Sequence, residues 1–165
     1  GSLLQVGIRA FSAEEHQRMK NDPRIVTFYA KDTQSTIDGD DVWSDWLETL
    51  SRLEGPVHLS IDIDGLDGSL VPATGTPVPG GLTYWQVYET IQTLFEASNA
   101  CVVSSDICEI GAQKDSPLTQ FTAAMLAMKV TAGHISARKS GLWVANNPPA
   151  GANREAVHIE HFSKK

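Results

Sequence analysis

The sequence predicts an α/β fold in which helices are layered against a mainly parallel sheet. Stretches with the period-two alternation of strands are followed by stretches with the apolar stripe of helices, four times along 165 residues. Two helix starts carry a capping box, Ser12 with Glu15 and Thr83 with Gln86. Acidic residues follow two of the strands, at the carboxyl edge where parallel sheets bind ligands.

Two strands and two helices are predicted in the first part of the chain. Residues 3–8 form a short buried strand, and a helix follows over 12–20. Residues 25–30 are a second strand, and residues 38–53 are an amphipathic helix that ends at Gly55-Pro56. The apolar stripe of that helix consists of Val42, Trp43, Trp46, Leu47, Leu50 and Leu53.

The second part of the chain repeats the alternation. A strand over 57–64 precedes a long loop, a helix over 83–97 and a strand over 100–107. The last helix starts at Ser116-Pro117 and ends at Gly133, a residue that commonly stops helices. We expect it to bury one face, made of Phe121, Ala124, Met125, Met128 and Ala132.

Composition indicates a single folded unit over residues 1–137, followed by an irregular, turn-rich tail at 138–165. The formal net charge of −7 argues against nucleic acid or an anionic membrane as a partner. We find no apolar stretch long enough to span a membrane and no signal-peptide pattern. Cys101 and Cys108 have an odd spacing on one strand, so we expect free thiols and a reducing, cytoplasmic location.

The strand over 57–64 ends with two aspartates, Asp62 and Asp64, that an extended chain places on one face. At the usual strand rise they are about 6.6 Å apart along the backbone. Neighbouring carboxylates repel each other and raise each other's pKa, and a divalent cation removes the repulsion. Two hard oxygen ligands suit magnesium or manganese better than zinc. The long loop that follows Gly65 is rich in Gly, Pro, Ser and Thr, which favours a shaped, functional loop.

This stretch resembles the signature of the ureohydrolase family, which includes arginases, agmatinases and guanidino-acid hydrolases. The matching segments are SIDIDGLD from Ser60, PATGTP from Pro72 and GGLT from Gly80, with Gly68 where the family usually has proline. The resemblance implies an arginase-like three-layer fold. It also implies two manganese ions that activate water to attack a guanidinium carbon, giving urea and an amine.

The same resemblance assigns roles to four residues. Asp62 and Asp64 match metal ligands, and Glu109 matches the glutamate of an Asp-x-x-Glu motif that holds the substrate guanidinium. Thr76 matches a threonine that lines the reaction pocket. Without the resemblance, a glutamate after a strand is more often a solvated loop residue. Two interpretations of Thr76 stay open, a residue of the pocket and a loop hydroxyl that bonds the nearby backbone.

The catalytic set is incomplete, because the family's two other ligand motifs, of Gly-Gly-Asp-His and Asp-Ala-His-x-Asp type, do not occur in this sequence. None of the five histidines, His16, His58, His134, His158 and His161, replaces them. We therefore expect the C-terminal half of a ureohydrolase, matched over residues 3–135 and inactive alone. The missing N-terminal half would supply the other ligands and a strand between those present here, either in the same chain or from a homologous subunit. Full-length family members are commonly homo-oligomers.

Substrate choice is readable only at the end of the first strand. Arginases carry acidic residues after a Gly-Leu-Arg there, whereas this sequence has Gly7-Ile8-Arg9 followed by Ala10-Phe11-Ser12. This segment resembles agmatinases and guanidino-acid hydrolases more than arginases, and an agmatinase-like substrate is favoured. A rival hypothesis is a degenerate, non-catalytic homologue that binds a sister chain through an open strand edge. A magnesium phosphotransferase is disfavoured because this sequence has no glycine-rich loop to hold a phosphate. An EF-hand calcium site is excluded because Asp67 occupies the position of its obligatory glycine.

Overall fold

A computed structural model describes residues 1–34, 41–112 and 117–140 of the chain. In chain order the elements are β1 (Leu3–Ile8), α1 (Ala13–Asn21), β2 (Ile25–Tyr29), α2 (Ala30–Thr33), α3 (Val42–Ser51), β3 (Gly55–Asp62), a 3-10 turn (Ile63–Gly65), α4 (Tyr84–Glu96), β4 (Ala100–Cys108) and α5 (Leu118–Ser140). The α/β class is confirmed. Within the described residues the strands form two separate parallel pairs, β1 with β2 and β3 with β4, instead of one continuous sheet.

Capping determines where most of the helices begin. Both predicted capping boxes are present, with Ser12 and Thr83 each bonded reciprocally to the residue three positions later. The Asp41 side chain caps α3, which therefore starts at Val42 and not at residue 38. Residues 35–40 lie outside the described part of the chain. Gly55 opens β3 instead of ending a helix, and its φ of 79° lets the chain turn there.

Two apolar clusters hold the elements together. One lies beneath the long loop, where Ile63, Leu66 and Val71 pack against α4 and α5 with at most 1% exposure. The other joins α3 and α4 to the strands around Trp46 and Leu50. Side chains of both strand pairs border both clusters, so the two small sheets share one core although no backbone ladder joins them.

The buried face of α5 differs from the prediction. Phe121 and Met128 are 66% and 64% exposed, whereas the buried side chains are Thr119, Ala123, Leu126, Val130 and Ala137. The helix also continues through Gly133. A β carbon at this position would lie 2.5 Å from the ring of Phe95, so glycine allows a close approach there. Small residues therefore face inward and let α5 approach α4 closely, which sequence periodicity alone did not distinguish from the competing stripe. Ser116, its predicted start, lies outside the described residues.

Two composition-based expectations can be compared with the structure. Cys101 is buried and Cys108 is exposed, and no disulfide joins them, as their odd spacing predicts. Among the described helices, none has the length and apolar character needed to cross a membrane. Most of the predicted tail, from residue 141 onward, lies outside the described residues.

Candidate functional site

Asp62 and Asp64 lie together, but not on one strand as predicted. β3 ends at Asp62, and Asp64 belongs to the 3-10 turn that follows. The turn keeps Ile63 fully buried, and Leu66 N–H closes it by donating to the Ile63 carbonyl at 3.2 Å. Gly65 therefore ends the turn and not the strand. Because Asp64 lies in this turn, the spacing expected for an extended chain does not apply.

The carboxyl groups of Asp62 and Asp64 lie close enough to interact. Partial burial raises the pKa of Asp62 to about 6, and hydrogen bonding with Asp64 and repulsion from that carboxylate add to the rise. The carboxylate of Glu109 raises it further by repulsion. The Asp62–Asp64 pair thus accumulates negative charge that a proton or a cation would relieve.

Thr76 reaches the pair from the long loop. Its Oγ1 donates a hydrogen bond to Asp64 Oδ2 at 2.7 Å, so the hydroxyl orients a carboxylate and does not bond the nearby backbone. The predicted pocket threonine therefore contacts one of the two predicted ligands directly.

Asp67 gives the long loop its shape. One carboxylate oxygen accepts bonds from the Ser69 backbone and hydroxyl, and the other accepts the backbone N–H groups of Gly80 and Gly81. These bonds lower the pKa of Asp67 to about 2. The carboxylate thereby ties the start of the loop to its end, and the loop is ordered as its composition predicts.

Glu109 lies on the other side of the loop. It follows β4 with a φ of 58°, a left-handed conformation that a non-glycine residue rarely adopts. One of its carboxylate oxygens lies 3.6 Å from the position that a β carbon on Gly75 would occupy. The neighbouring Gly111 N–H donates to the Ala73 carbonyl at 2.8 Å, which fixes this segment against the loop. The four predicted site residues therefore converge beside the carboxyl ends of β3 and β4, at an edge that we call the rim: Asp62, Asp64, Thr76 and Glu109.

Sequence reasoning missed a polar network on the exposed face of β3 and β4. His58 bonds Ser104 Oγ through Nδ1 at 2.8 Å and Asp106 Oδ2 through Nε2 at 3.0 Å. Ser60 donates to the other oxygen of Asp106 at 2.8 Å. Asp106, which the sequence grouped with Glu109, thus engages His58 and Ser60. The alternation of polar residues along β3 was the signal that could have revealed the network.

The two aspartates fit part of a metal site. Their adjacent oxygens and mutual repulsion suit a hard divalent cation, but the described residues contain no group of three or more His, Cys, Asp or Glu side chains that could hold one. His16 stacks on Phe11, and His134 packs edge-on against Phe95. His158 and His161 lie outside the described residues.

Comparison with known proteins gives consistent matches. The model of the arginase family matches residues 1–133. An N(1)-aminopropylagmatine ureohydrolase of Thermus thermophilus is 36% identical over 128 residues, which cover 78% of this chain and 39% of the relative. One from Thermococcus kodakarensis is 44% identical over 81 residues, covering 49% of this chain and 27% of the relative.

Solved structures give the same result. The agmatine ureohydrolase of Thermoplasma volcanium has a TM-score of 0.67 at 26% identity, covering 84% of this chain and 44% of the other. The arginase of Bacillus caldovelox has a TM-score of 0.62 at 28% identity, covering 77% and 42%. These similarities identify the architecture as arginase-like. The chain spans well under half the length of each of these four proteins.

Proposed function

The chain belongs to the arginase family, and from that premise we propose that it takes part in hydrolysing a linear guanidino compound to urea and an amine. The observation that carries the proposal is the convergence of Asp62, Asp64, Thr76 and Glu109 at one rim. Carboxylates that lie at one edge of the fold attract cations, as a guanidinium substrate and divalent metal ions both require.

Manganese is the proposed metal, and Asp62 and Asp64 are its proposed ligands. Both residues offer carboxylate oxygens, the donor type that manganese shares with magnesium. When bound, manganese supplies the Lewis acidity that lowers the pKa of water near the substrate carbon. Thr76 holds the Asp64 carboxylate in place through its 2.7 Å hydrogen bond. Asp62, with a pKa of about 6, is ionised and ready to bind above that pH.

Glu109 is the proposed partner of the substrate guanidinium. A guanidinium is planar and stays charged at every physiological pH, and a carboxylate binds it through paired hydrogen bonds. Glu109 is exposed and lies beside the loop that carries Thr76, so substrate could reach it from solvent. Asp106 has no such role here, because its oxygens engage His58 and Ser60.

The proposed substrate class is a guanidino amine rather than arginine. The segment Ala10-Phe11-Ser12 offers no acidic side chain to grip an amino-acid head group. Relatives named as agmatinase and N(1)-aminopropylagmatine ureohydrolase, at 40% and 44% identity, favour the same class.

Further ligands must come from outside the described residues, and we infer that another part of an arginase-type domain or a homologous subunit supplies them. Within the described residues β1 pairs only with β2 and β3 only with β4, although the two pairs share one core. Open strand edges of this kind accept additional strands. The same observation favours the second candidate function, a non-catalytic subunit that completes a sister chain.

A urea-release assay separates the two candidates. The chain is incubated with Mn²⁺ and agmatine, alone and mixed with a full-length agmatinase, beside Asp62→Asn and the control Asp45→Asn, an exposed residue of α3. A catalytic role predicts that the mixture releases more urea than the agmatinase alone, and that Asp62→Asn abolishes the gain while Asp45→Asn keeps it. A gain that survives Asp62→Asn supports the non-catalytic subunit, and no gain in any mixture contradicts both.

A further inference from the structure

Arg9 follows β1, and its side chain reaches the candidate site from behind. The guanidinium donates to the backbone carbonyls of Asp64 and Val78, both at 2.7 Å, and of Leu66 at 3.1 Å. It also donates to the Gly7 carbonyl at 3.2 Å. Among the described residues, every hydrogen-bond acceptor of this guanidinium is a backbone carbonyl. Arg9 therefore holds backbone segments together and does not pair with an acidic side chain.

Arg9 donates to four distant carbonyls, those of Asp64, Gly65, Leu66 and Val78, which belong to two segments that carry the site. One is the carbonyl of Asp64 itself, and Leu66 immediately follows the 3-10 turn. Val78 lies two residues after Thr76, near the far end of the long loop. The Arg9 guanidinium therefore links the turn that presents one proposed ligand to the loop segment that presents the hydroxyl bonded to it.

The end of β1 packs closely against the same backbone. Gly7 has a φ of 84°, and a β carbon there would lie 3.4 Å from the Gly65 carbonyl oxygen. A β carbon on Gly81 would lie 2.4 Å from the carbonyl carbon and oxygen of Leu66. These close approaches leave little freedom for the turn and loop ends, and Arg9 supplies the polar contacts between them.

We propose that Arg9 is a positioning residue that sets the Asp64 carboxylate and the Thr76 hydroxyl beside Asp62. A guanidinium suits this task because its planar fork carries five donors and stays charged, and charge-assisted hydrogen bonds are the stronger ones. A lysine ammonium at the same place is a compact point charge and cannot span carbonyls from both segments. We call the hydrogen bonds from the Arg9 guanidinium to these carbonyls the Arg9 clamp. Its role in positioning a metal ligand rests on the proposed function, but the existence of the clamp does not.

Amide hydrogen exchange measured by NMR tests the clamp in the metal-free chain, with Arg9→Lys as the variant. The reporter amides are those of Asp67, Gly68 and Leu82, which donate to the Leu82, Val78 and Gly65 carbonyls. We expect at least tenfold faster exchange at these three amides and less than a twofold change at Val87 in α4. The matched control, Arg24→Lys, alters a surface arginine bonded to Asp22 and changes none of the reporters. Unchanged reporters, or equal acceleration at Val87, overturn the proposal.

A measurement on the unaltered chain covers the case in which Arg9→Lys does not fold. Hydrogen bonds that hold the guanidinium slow rotation about its C–N bonds, so the Nη protons of Arg9 should give separate resonances at low temperature. Arg18, an exposed residue of α1, is expected to give averaged ones. One averaged signal from Arg9 overturns the clamp.

Mn²⁺ line broadening connects the clamp to the metal site. We expect the amide resonances of Asp62 and Asp64 to broaden in both chains, with Arg9→Lys needing at least fivefold more Mn²⁺. Equal titrations of both chains overturn the positioning role. Absence of broadening in the unaltered chain contradicts the proposed manganese site instead, and the exchange result then decides the clamp alone.

Discussion

Asp62 is the residue whose pKa shows most clearly how the carboxylates of the rim affect one another. A free aspartate has a pKa near 3.9, whereas partial burial and the neighbouring Asp64 and Glu109 raise that of Asp62 to about 6. Fold stability and metal binding therefore depend on its ionisation in opposite ways. A proton relieves the repulsion at low pH, and a cation would relieve it at high pH.

The first prediction concerns pH and stability. Between about pH 4 and pH 6 folded Asp62 holds a proton that the unfolded chain has lost, so stability falls as pH rises through this window and levels off above it. Asp62→Asn removes that loss and should raise the Tm of the metal-free chain at pH 7 by about 1–3 °C, a small gain because the residue is exposed to screening solvent.

Calorimetry in the presence of a chelator, from pH 4 to pH 8, checks this prediction. The difference between Asp62→Asn and the unaltered chain should grow from pH 4 to pH 6, while Asp45→Asn shows no such growth. A constant difference at every pH would show that Asp62 titrates normally.

The second prediction concerns the Thr76 hydroxyl. Thr76→Val keeps the shape of the side chain but removes the donor to Asp64, and should weaken Mn²⁺ binding by about 3–10-fold, the effect of one hydrogen bond. Thr76→Ser keeps the donor and should bind within about twofold of the unaltered chain. Titration calorimetry measures both, and equal weakening in the two variants would mean that packing of the methyl group matters and the hydroxyl does not.

The sequence predicted which side chains form the candidate site, but not the backbone geometry that places them. Asp62 and Asp64 are neighbours as expected, yet the expected reason, a shared strand face, is wrong because β3 ends at Asp62 and Asp64 lies in a 3-10 turn. The left-handed backbone of Glu109 had no sequence signal, since only packing against the loop imposes it. The carbonyl contacts of Arg9 depend on two distant segments, the turn at Asp64 and the loop at Val78, and could not be read locally.

Among the elements, α5 shows that hydrophobic periodicity predicts a helix but does not always predict which face of it is buried. Its existence was clear, but two stripes of similar apolar content run along it, and contact with Phe95 selects the one with the smaller residues. Capping boxes were more reliable, because the bonds at Ser12 and Thr83 are local and need no knowledge of neighbouring elements.

The third prediction follows from that contact. Gly133→Ala would gain helix propensity but place a β carbon 2.5 Å from the Phe95 ring, and overpacking should cost about 1–3 kcal/mol of unfolding free energy. Urea unfolding measures it. Combining it with Phe95→Leu should recover part of the loss, and additive effects of the two changes would contradict a direct clash.

For the whole molecule, the main finding is two parallel strand pairs on one core. All four strands were predicted from the sequence, and their parallel direction was predicted because strands alternate with helices along the chain. Sequence reasoning did not find α2, whose four residues are too few for a periodic signal. Pairing between β1 and β3 could not be judged from sequence, because strand order depends on contacts between distant segments.

The fourth prediction concerns the open edge of β1. Leu3 N–H donates to the Arg24 carbonyl beside β2, so by strand alternation the amides of Leu4 and Val6 point away from β2. Adding a complementing agmatinase should slow hydrogen exchange at Leu4 and Val6 at least tenfold and leave Gln5, which faces β2, nearly unchanged. If urea release rises while hydrogen exchange at the Leu4 and Val6 amides stays fast, the agmatinase binds another surface and this prediction is wrong.

The most direct measurement is Mn²⁺ binding followed by the electron paramagnetic resonance signal of the free ion. If Asp62 and Asp64 form part of a metal site, the chain should remove Mn²⁺ from solution above about pH 6 and release it as the pH falls below that value. The double variant Asp62→Asn, Asp64→Asn should bind at least tenfold more weakly, with Asp45→Asn unchanged. Equal binding by the double variant and the unaltered chain, or no binding by the unaltered chain at pH 8, would contradict the account.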